Sequence, residues 1–160
     1  MVHRRPDDCR RALDLPDHPI EKVNASSPLK YCAGYKYQVY EDCWLITPIK
    51  GFRVSHRFFE LYEDGRLLVR AGYAWDGASG PTWDTKSSMR SSLGHDVLFQ
   101  MLRLGLLPHD PCFHLANEFL RDQSIADGMW TFRANYWFKG VEDFGDAHAA
   151  VQPDKVLTAP

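Results

Sequence analysis

The chain has 160 residues, close to the commonest size of a single domain and enough to bury a hydrophobic core. With 44% hydrophobic and 25% charged residues, its composition excludes the class of chains that stay disordered. Its 19 basic and 21 acidic side chains give a formal charge of -2, so nucleic acid is not an expected partner.

Residues 1–28 are rich in proline, acids and small polar residues and lack hydrophobic periodicity, which predicts a flexible N-terminal arm. The arm has no apolar stretch of the kind found in secretory signals, and no segment of the chain has the apolar length of a transmembrane helix. We therefore expect a protein made in a cytoplasm. Association with a virion and release at lysis are the alternatives left open.

Between residues 29 and 74, hydrophobic and aromatic side chains recur largely at every second position, which predicts several antiparallel strands. The strongest hairpin signal is formed by residues 58–62 and 66–70, which flank Glu63, Asp64 and Gly65. An Asp-Gly pair supplies the positive φ values that a tight turn requires.

From Ser87 the hydrophobic period changes to three and four residues, which predicts a helix over about residues 87–106. Asp110 can cap a second helix and Pro111 suits its first position, and Gly128 interrupts the pattern. A third helix is predicted over residues 130–144. Its aromatic side chains are interpreted as core packing; they are Trp130, Phe132, Tyr136, Trp137 and Phe138.

These elements predict an α+β fold, in which a small N-terminal antiparallel sheet is followed by a three-helix half that carries a His-Asp pair. Residues 29–146 are expected to form a single globular domain, and residues 147–160 a C-terminal tail. The four cysteines lack the close spacing of zinc ligands and are expected to be reduced, with a Cys32–Cys43 bridge between two strands as the alternative. The other two are Cys9 and Cys112.

The loop at residues 71–83, between the last strand and the first helix, combines three glycines with an acid, a hydroxyl and two tryptophans. Glycines let backbone carbonyls turn toward a bound ion, and Asp76 offers a hard oxygen ligand. Asp76 and Gly77 are therefore candidate metal ligands, and Trp75 and Trp83 candidate substrate contacts. A turn in which Asp76 bonds to its own backbone is an equally favoured interpretation.

The first helix contains Gly94, His95 and Asp96. Neighbouring side chains on a helix diverge by about 100°, so His95 could take a proton from water while Asp96 holds a metal. Gly94 has no side chain and permits close approach by another element. Asn117 on the second helix could hydrogen-bond to the imidazole of His95 and fix its tautomer. The alternatives are a structural polar pair and a solvated asparagine.

Two further histidine patterns indicate a functional site less strongly than the His95-Asp96 pair does. His109, Asp110 and His114 resemble a metal cluster, but helix capping and the neighbouring prolines explain them more simply. A His-Asp phosphohydrolase would need another metal-binding histidine upstream on a helix, and His56, the only well-placed candidate, lies among strand-forming residues.

Several of these residues together resemble an uncharacterised domain family that is frequent in tailed phages and prophages. Its members share an Asp-x-x-Ser-x-Pro loop, a His-Asp-x-x-aromatic helix and a closing helix that ends in Phe-Gly. The resemblance covers about residues 45–146 and implies a phage or prophage protein without assigning a chemistry. The matching strings are Trp75-Asp76-Gly77-Ala78-Ser79-Gly80-Pro81, Arg90, His95-Asp96-Val97-Leu98-Phe99 and Phe144-Gly145.

The order of these motifs is also similar, more distantly, to that of the small secreted sn-2 phospholipases of bacteria and fungi. This resemblance implies that His95 is the general base and that Asp76, Asp96 and a loop carbonyl near Gly77 bind calcium, which would stabilise the oxyanion of an attacked ester. It also places Asn117 where those enzymes have the aspartate that orients the histidine. An asparagine leaves the imidazolium without a compensating charge, so reduced activity is expected. The remaining matched positions are Pro81, Phe99 in place of a tyrosine, and Val141 to Gly145.

The sequence therefore predicts a calcium-dependent lipid or ester hydrolase of phospholipase type, encoded by a phage or prophage. The alternative is a non-catalytic phage accessory or virion-associated protein with a phage or host protein as its partner. The candidate site residues are His95 and Asn117 for catalysis, Asp76, Gly77 and Asp96 for the metal, and Trp75, Trp83 and Phe99 for the substrate.

Overall fold

The structure is a computed structural model that describes residues 29, 31–33, 36–79 and 82–151. The predicted arm and most of the predicted tail lie outside these residues. Within the described residues the order is seven strands followed by four helices, which confirms the α+β class. The elements are β1 (Tyr31–Ala33), β2 (Tyr37–Val39), β3 (Cys43–Ile46), β4 (Val54–His56), β5 (Phe59–Leu61), β6 (Arg66–Val69), β7 (Ala74–Trp75), α1 (Lys86–Arg103), α2 (His109–Ala126), α3 (Thr131–Phe144) and α4 (Asp146–Ala149).

The strands form two small antiparallel sheets. One has the order β1-β2-β7 and the other the order β3-β6-β5-β4. The predicted hairpin is confirmed, with Phe59 opposite Val69 and Leu61 opposite Leu67. All four of these side chains are fully buried, because the alternating positions of both strands face the core. Gly65 in the turn has φ +91°, in the region that favours glycine.

The helices begin and end close to the predicted positions. In the first turn of α2, Asp110 has extended dihedral angles (φ -90°, ψ 129°), so regular helical geometry begins at Pro111. No helix in the described part of the chain is both long and apolar enough to cross a membrane. The short helix α4 lies at the start of the predicted tail and buries Ala149 against the rest of the core.

The core lies between the larger sheet and α1, which is buried on most of its faces. Gly94 in α1 is a point of close approach, as the sequence indicated. A Cβ atom there would lie 2.6 Å from Cζ of Phe119 in α2 and 2.9 Å from Cδ1 of Leu45 in β3. Because Gly94 has no side chain, a strand and a second helix can both contact α1 one residue before His95.

The prediction that the aromatic residues of α3 are core residues is wrong for most of them. Trp130, Phe132 and Tyr136 are 79%, 73% and 59% exposed, whereas Trp137 is 2% exposed. The helix packs only one face against its neighbours, and Trp137 lies on that face together with Ala134. Periodicity identified the helix, but it could not show that only one side of the helix is covered.

Two of the four cysteines have described side chains. Cys43 and Cys112 are buried. The side chain of Cys32 is not described, so the alternative of a Cys32–Cys43 bridge stays a prediction. Cys9 lies outside the described residues. A buried thiol behaves as a small apolar side chain, which is the packing role that Cys43 and Cys112 have here.

Candidate active site

A pocket of about 820 Å³ lies between the loop after β7, helix α1 and the last turns of α3. Most of the residues singled out in the sequence line it. The loop contributes Asp76 and Gly77, β7 contributes Trp75, and α1 contributes His95, Asp96 and Phe99. Asn117 lies behind the pocket wall, in contact with His95.

Trp83 is the candidate that the structure separates from this group. Its side chain is 66% exposed and stacks on the Arg133 guanidinium, 4.3 Å from the ring centroid. Trp83 is not part of the pocket lining formed by the described residues. The aromatic walls of the pocket are instead Trp75 and Phe99 from the predicted set, together with Phe144 at the end of α3.

The loop that carries Asp76 is folded around the Asp84 carboxylate. Asp84 accepts hydrogen bonds from the Ala78 backbone N–H (2.6 Å) and from the Tyr37 hydroxyl (2.9 Å). Gly77 lies between them with φ +83°, and a Cβ atom there would be 2.5 Å from Asp84 Oδ1. Gly77 therefore has a conformational role, and Asp84 is a residue that sequence reasoning missed.

Asp76 and Asp96, distant in the sequence, both line the pocket. The Asp76 backbone N–H donates a hydrogen bond to the Asp96 carboxylate. The pKa of Asp96 is raised to about 7, mainly by burial. The charge of Arg103 opposes this shift, the negative charge of Asp76 contributes to it, and Lys36 opposes it more weakly. The negative charges of the two residues therefore repel each other within the pocket lining.

His95 is 8% exposed and packs against Phe99, with 4.0 Å between the ring centroids. The pKa of His95 is lowered to about 4, mainly by burial; the hydrogen bond with Asn117 opposes this shift, and the charge of Arg103 contributes to it. The imidazole is therefore neutral at pH 7. His95 Nδ1 lies 4.0 Å from Asp96 Oδ1, but this contact is not an ion pair at pH 7, because the imidazole is uncharged.

The orientation of the Asn117 amide determines which imidazole nitrogen carries the proton. Its Nδ2 donates to Glu142 Oε2 at 2.7 Å, so its Oδ1 is the atom that faces His95 Nε2 at 2.8 Å. An amide oxygen only accepts hydrogen bonds, so Nε2 must be the protonated nitrogen. The lone pair of the neutral imidazole is then on Nδ1, the nitrogen nearer to Asp96.

Glu142 in α3 is the second residue that sequence reasoning missed, because it was considered only within the closing-helix motif. Its other oxygen, Oε1, lies 2.8 Å from His114 Nδ1, and this hydrogen bond raises the pKa of His114. His114 thus belongs to this network, while His109 pairs with Asp146 at 3.1 Å. The signal available in the sequence was a pair of adjacent acids, Glu142 and Asp143, next to the apolar stripe of α3.

The donor set at Asp76 and Asp96 has the chemistry that a calcium ion prefers. Carboxylate and carbonyl oxygens are hard ligands, and the repulsion between the two carboxylates is what a cation would relieve. Among the described residues, no group of three or more His, Cys, Asp or Glu side chains could hold a metal. A calcium site would therefore be completed by backbone carbonyls and water.

Comparisons of the chain with protein-family models, with curated proteins and with solved structures found no match. The resemblances to a phage domain family and to phospholipases therefore stay predictions. The assignment of chemistry depends on the geometry of the site.

Proposed function

We propose that this protein is an ester hydrolase with a lipid-like substrate and that His95 is its general base. The observation that supports this proposal is a neutral imidazole in the wall of a pocket, whose Nε2 is held by Asn117 and whose Nδ1 lies 4.0 Å from Asp96 Oδ1. A pocket of about 820 Å³ with aromatic walls has room for an acyl chain. The encoding of the protein by a phage or prophage is part of the same proposal and depends on the sequence resemblance.

In the proposed reaction, His95 Nδ1 takes a proton from water as the water oxygen attacks the ester carbonyl carbon. The Nε2–H group keeps its hydrogen bond to Asn117 throughout, so the ring does not rotate. The Asp96 carboxylate, 4.0 Å away, stabilises the imidazolium that forms. His95 then returns the proton to the leaving alkoxide, and the products are a carboxylic acid and an alcohol.

The low pKa of His95 has a consequence for the rate. A general base works best when its pKa lies near the operating pH, and the pKa of His95 is about 4. We therefore expect slow turnover, in agreement with the reduced activity expected from the sequence.

Calcium is part of the proposal because the donor set fits it. The carboxylates of Asp76 and Asp96 would hold the ion. When bound, calcium would supply electrostatic stabilisation of the oxyanion formed during ester attack.

The test is the release of carboxylic acid from short-chain p-nitrophenyl esters and from phosphatidylcholine in mixed micelles, with calcium or with a chelator. We expect His95→Gln to reduce turnover by about 100-fold or more, the usual contribution of a general base. His56→Gln is the matched control, because His56 stacks on Phe59 in the larger sheet, outside the pocket lining. No turnover on any ester, or equal turnover in the His95 variant, would contradict the proposal.

The second candidate is a non-catalytic phage accessory or virion-associated protein that binds a phage or host protein. The exposed rings of Phe132 and Tyr136, four residues apart on α3, and of Trp130 just before it favour this function, because large exposed aromatic side chains on one element are typical of interaction surfaces. This function predicts stoichiometric binding to one virion or host protein. It also predicts that Trp130→Ser with Tyr136→Ser abolishes that binding, while a preparation of the unmodified protein hydrolyses no ester.

A further inference from the structure

Glu142 is connected to the imidazole of the candidate site through one intervening residue, Asn117. The chain of contacts runs from His95 Nε2 to Asn117 Oδ1 at 2.8 Å, and from Asn117 Nδ2 to Glu142 Oε2 at 2.7 Å. Each of these residues comes from a different helix, α1, α2 or α3. Asn117 is fully buried between its two partners.

The contact between His95 and Asn117 does not by itself select a tautomer. An asparagine amide has an oxygen that accepts and a nitrogen that donates, and a neutral imidazole can match either one. Glu142 removes this ambiguity, because an ionised carboxylate only accepts hydrogen bonds. It binds the amide nitrogen of Asn117 and thereby turns the amide oxygen toward His95.

We propose that Glu142 is a positioning residue that fixes the Nε2–H tautomer of His95 by orienting Asn117. The catalytic use of this tautomer rests on the proposed function, because Nδ1 must be unprotonated to accept a proton from water. The tautomer itself does not depend on any activity, so it can be measured separately.

Two features of the site support this role. His114 holds the second oxygen of Glu142 at 2.8 Å, so the carboxylate is fixed at both oxygens. Glu142 also explains why residue 117 is an asparagine and not an aspartate, because an aspartate carboxylate there would lie 2.7 Å from the Glu142 carboxylate. Two carboxylates at that distance in a buried setting repel each other strongly.

The test is a long-range ¹H–¹⁵N correlation spectrum of the imidazole rings, which distinguishes the two neutral tautomers. We expect His95 to be entirely in the Nε2–H form in the unmodified protein. Glu142→Leu removes the acceptor, so a substantial fraction of the Nδ1–H form should appear. Glu142→Gln keeps a carbonyl that can accept from Asn117 Nδ2, so it should preserve the Nε2–H form.

The matched control is Asp143→Leu, which removes a neighbouring acid that is exposed. Its spectrum should equal that of the unmodified protein. A His95 that stays fully Nε2–H in Glu142→Leu would overturn the proposal, as would an Nδ1–H form in the unmodified protein.

A second pair of variants keeps the inference testable if Glu142→Leu does not fold. Asn117→Asp should lower the melting temperature, because it places two carboxylates in contact. Combining Asn117→Asp with Glu142→Gln should bring the melting temperature most of the way back, since the glutamine amide can donate to the new carboxylate. Equal melting temperatures for the single and the double variant would contradict the proposed orientation of Asn117.

Kinetics separates this inference from the proposed function. If the protein hydrolyses esters, Glu142→Leu should lower kcat by about 10-fold or more and leave KM unchanged, because Glu142 is not part of the pocket lining. Glu142→Gln should recover most of kcat. If no ester is hydrolysed, the proposed function fails while the tautomer measurement still decides the role of Glu142.

Discussion

Replacing Gly94 by alanine tests how α1 is packed next to the candidate site. In the middle of an exposed helix this change would stabilise the protein by roughly 0.5–1 kcal/mol. At Gly94, however, the new methyl group would lie 2.6 Å from Cζ of Phe119 and 2.9 Å from Cδ1 of Leu45, and both of these residues are buried. Overpacking of this kind costs about 1–3 kcal/mol. The net expectation is a loss of about 1–2 kcal/mol, taking both effects together.

Thermal and urea unfolding measure this loss directly. For a chain of this length, the melting temperature should fall by about 2–8 °C. The control is the double variant Gly94→Ala with Phe119→Leu, in which a smaller side chain makes room for the methyl group. Its stability should exceed the sum of the single effects by about 1 kcal/mol. A Gly94→Ala protein that melts higher than the original would refute the packing argument.

Three further predictions concern stability. Arg90→Lys loses the paired hydrogen bonds to the buried Asp127 carboxylate and should cost about 1–2 kcal/mol in urea unfolding; an unchanged urea midpoint would speak against that pairing. Gly65→Ala places a side chain at φ +91°, which should cost at least about 1 kcal/mol, and a stabilised variant would disprove the turn. Because Glu142 raises the pKa of His114 above 6.5, its stabilising effect is complete below pH 6.5 and is lost as the pH rises through the folded-state pKa. NMR titration should show a lower His114 pKa in Glu142→Gln, and no change would exclude the coupling.

Local signals in the sequence predicted much of the fold. The Asp-Gly turn and the alternating residues around it predicted the hairpin of β5 and β6, because turn geometry and side-chain alternation depend on adjacent residues. The change of hydrophobic period predicted α1, and the Asp110-Pro111 pair marked where regular helix begins in α2. The aromatic face of α3 was misjudged, because its exposure depends on what the rest of the chain covers.

The candidate site was predictable only in part. The loop and helix motifs identified Asp76, His95 and Asp96, which the structure brings to one pocket. Asp84 and Glu142 were not identified, because each acts through a contact with a residue that has no distinctive spacing from it. A carboxylate that orients an asparagine has no sequence signature, since the pairing depends on how two helices are packed.

The network of His95, Asn117 and Glu142 crosses three helices, so no single segment of the chain contains the complete site. A fragment that ends after α2 would retain the imidazole and the amide, but Asn117 would lose the acceptor for its Nδ2. The surface of α1 and α2 that α3 covers would then be exposed to water, and water would compete for hydrogen bonds with the imidazole and the amide. Any shortened version of the protein intended for functional work must therefore extend to the end of α3, even though the two most recognisable motifs lie well before it.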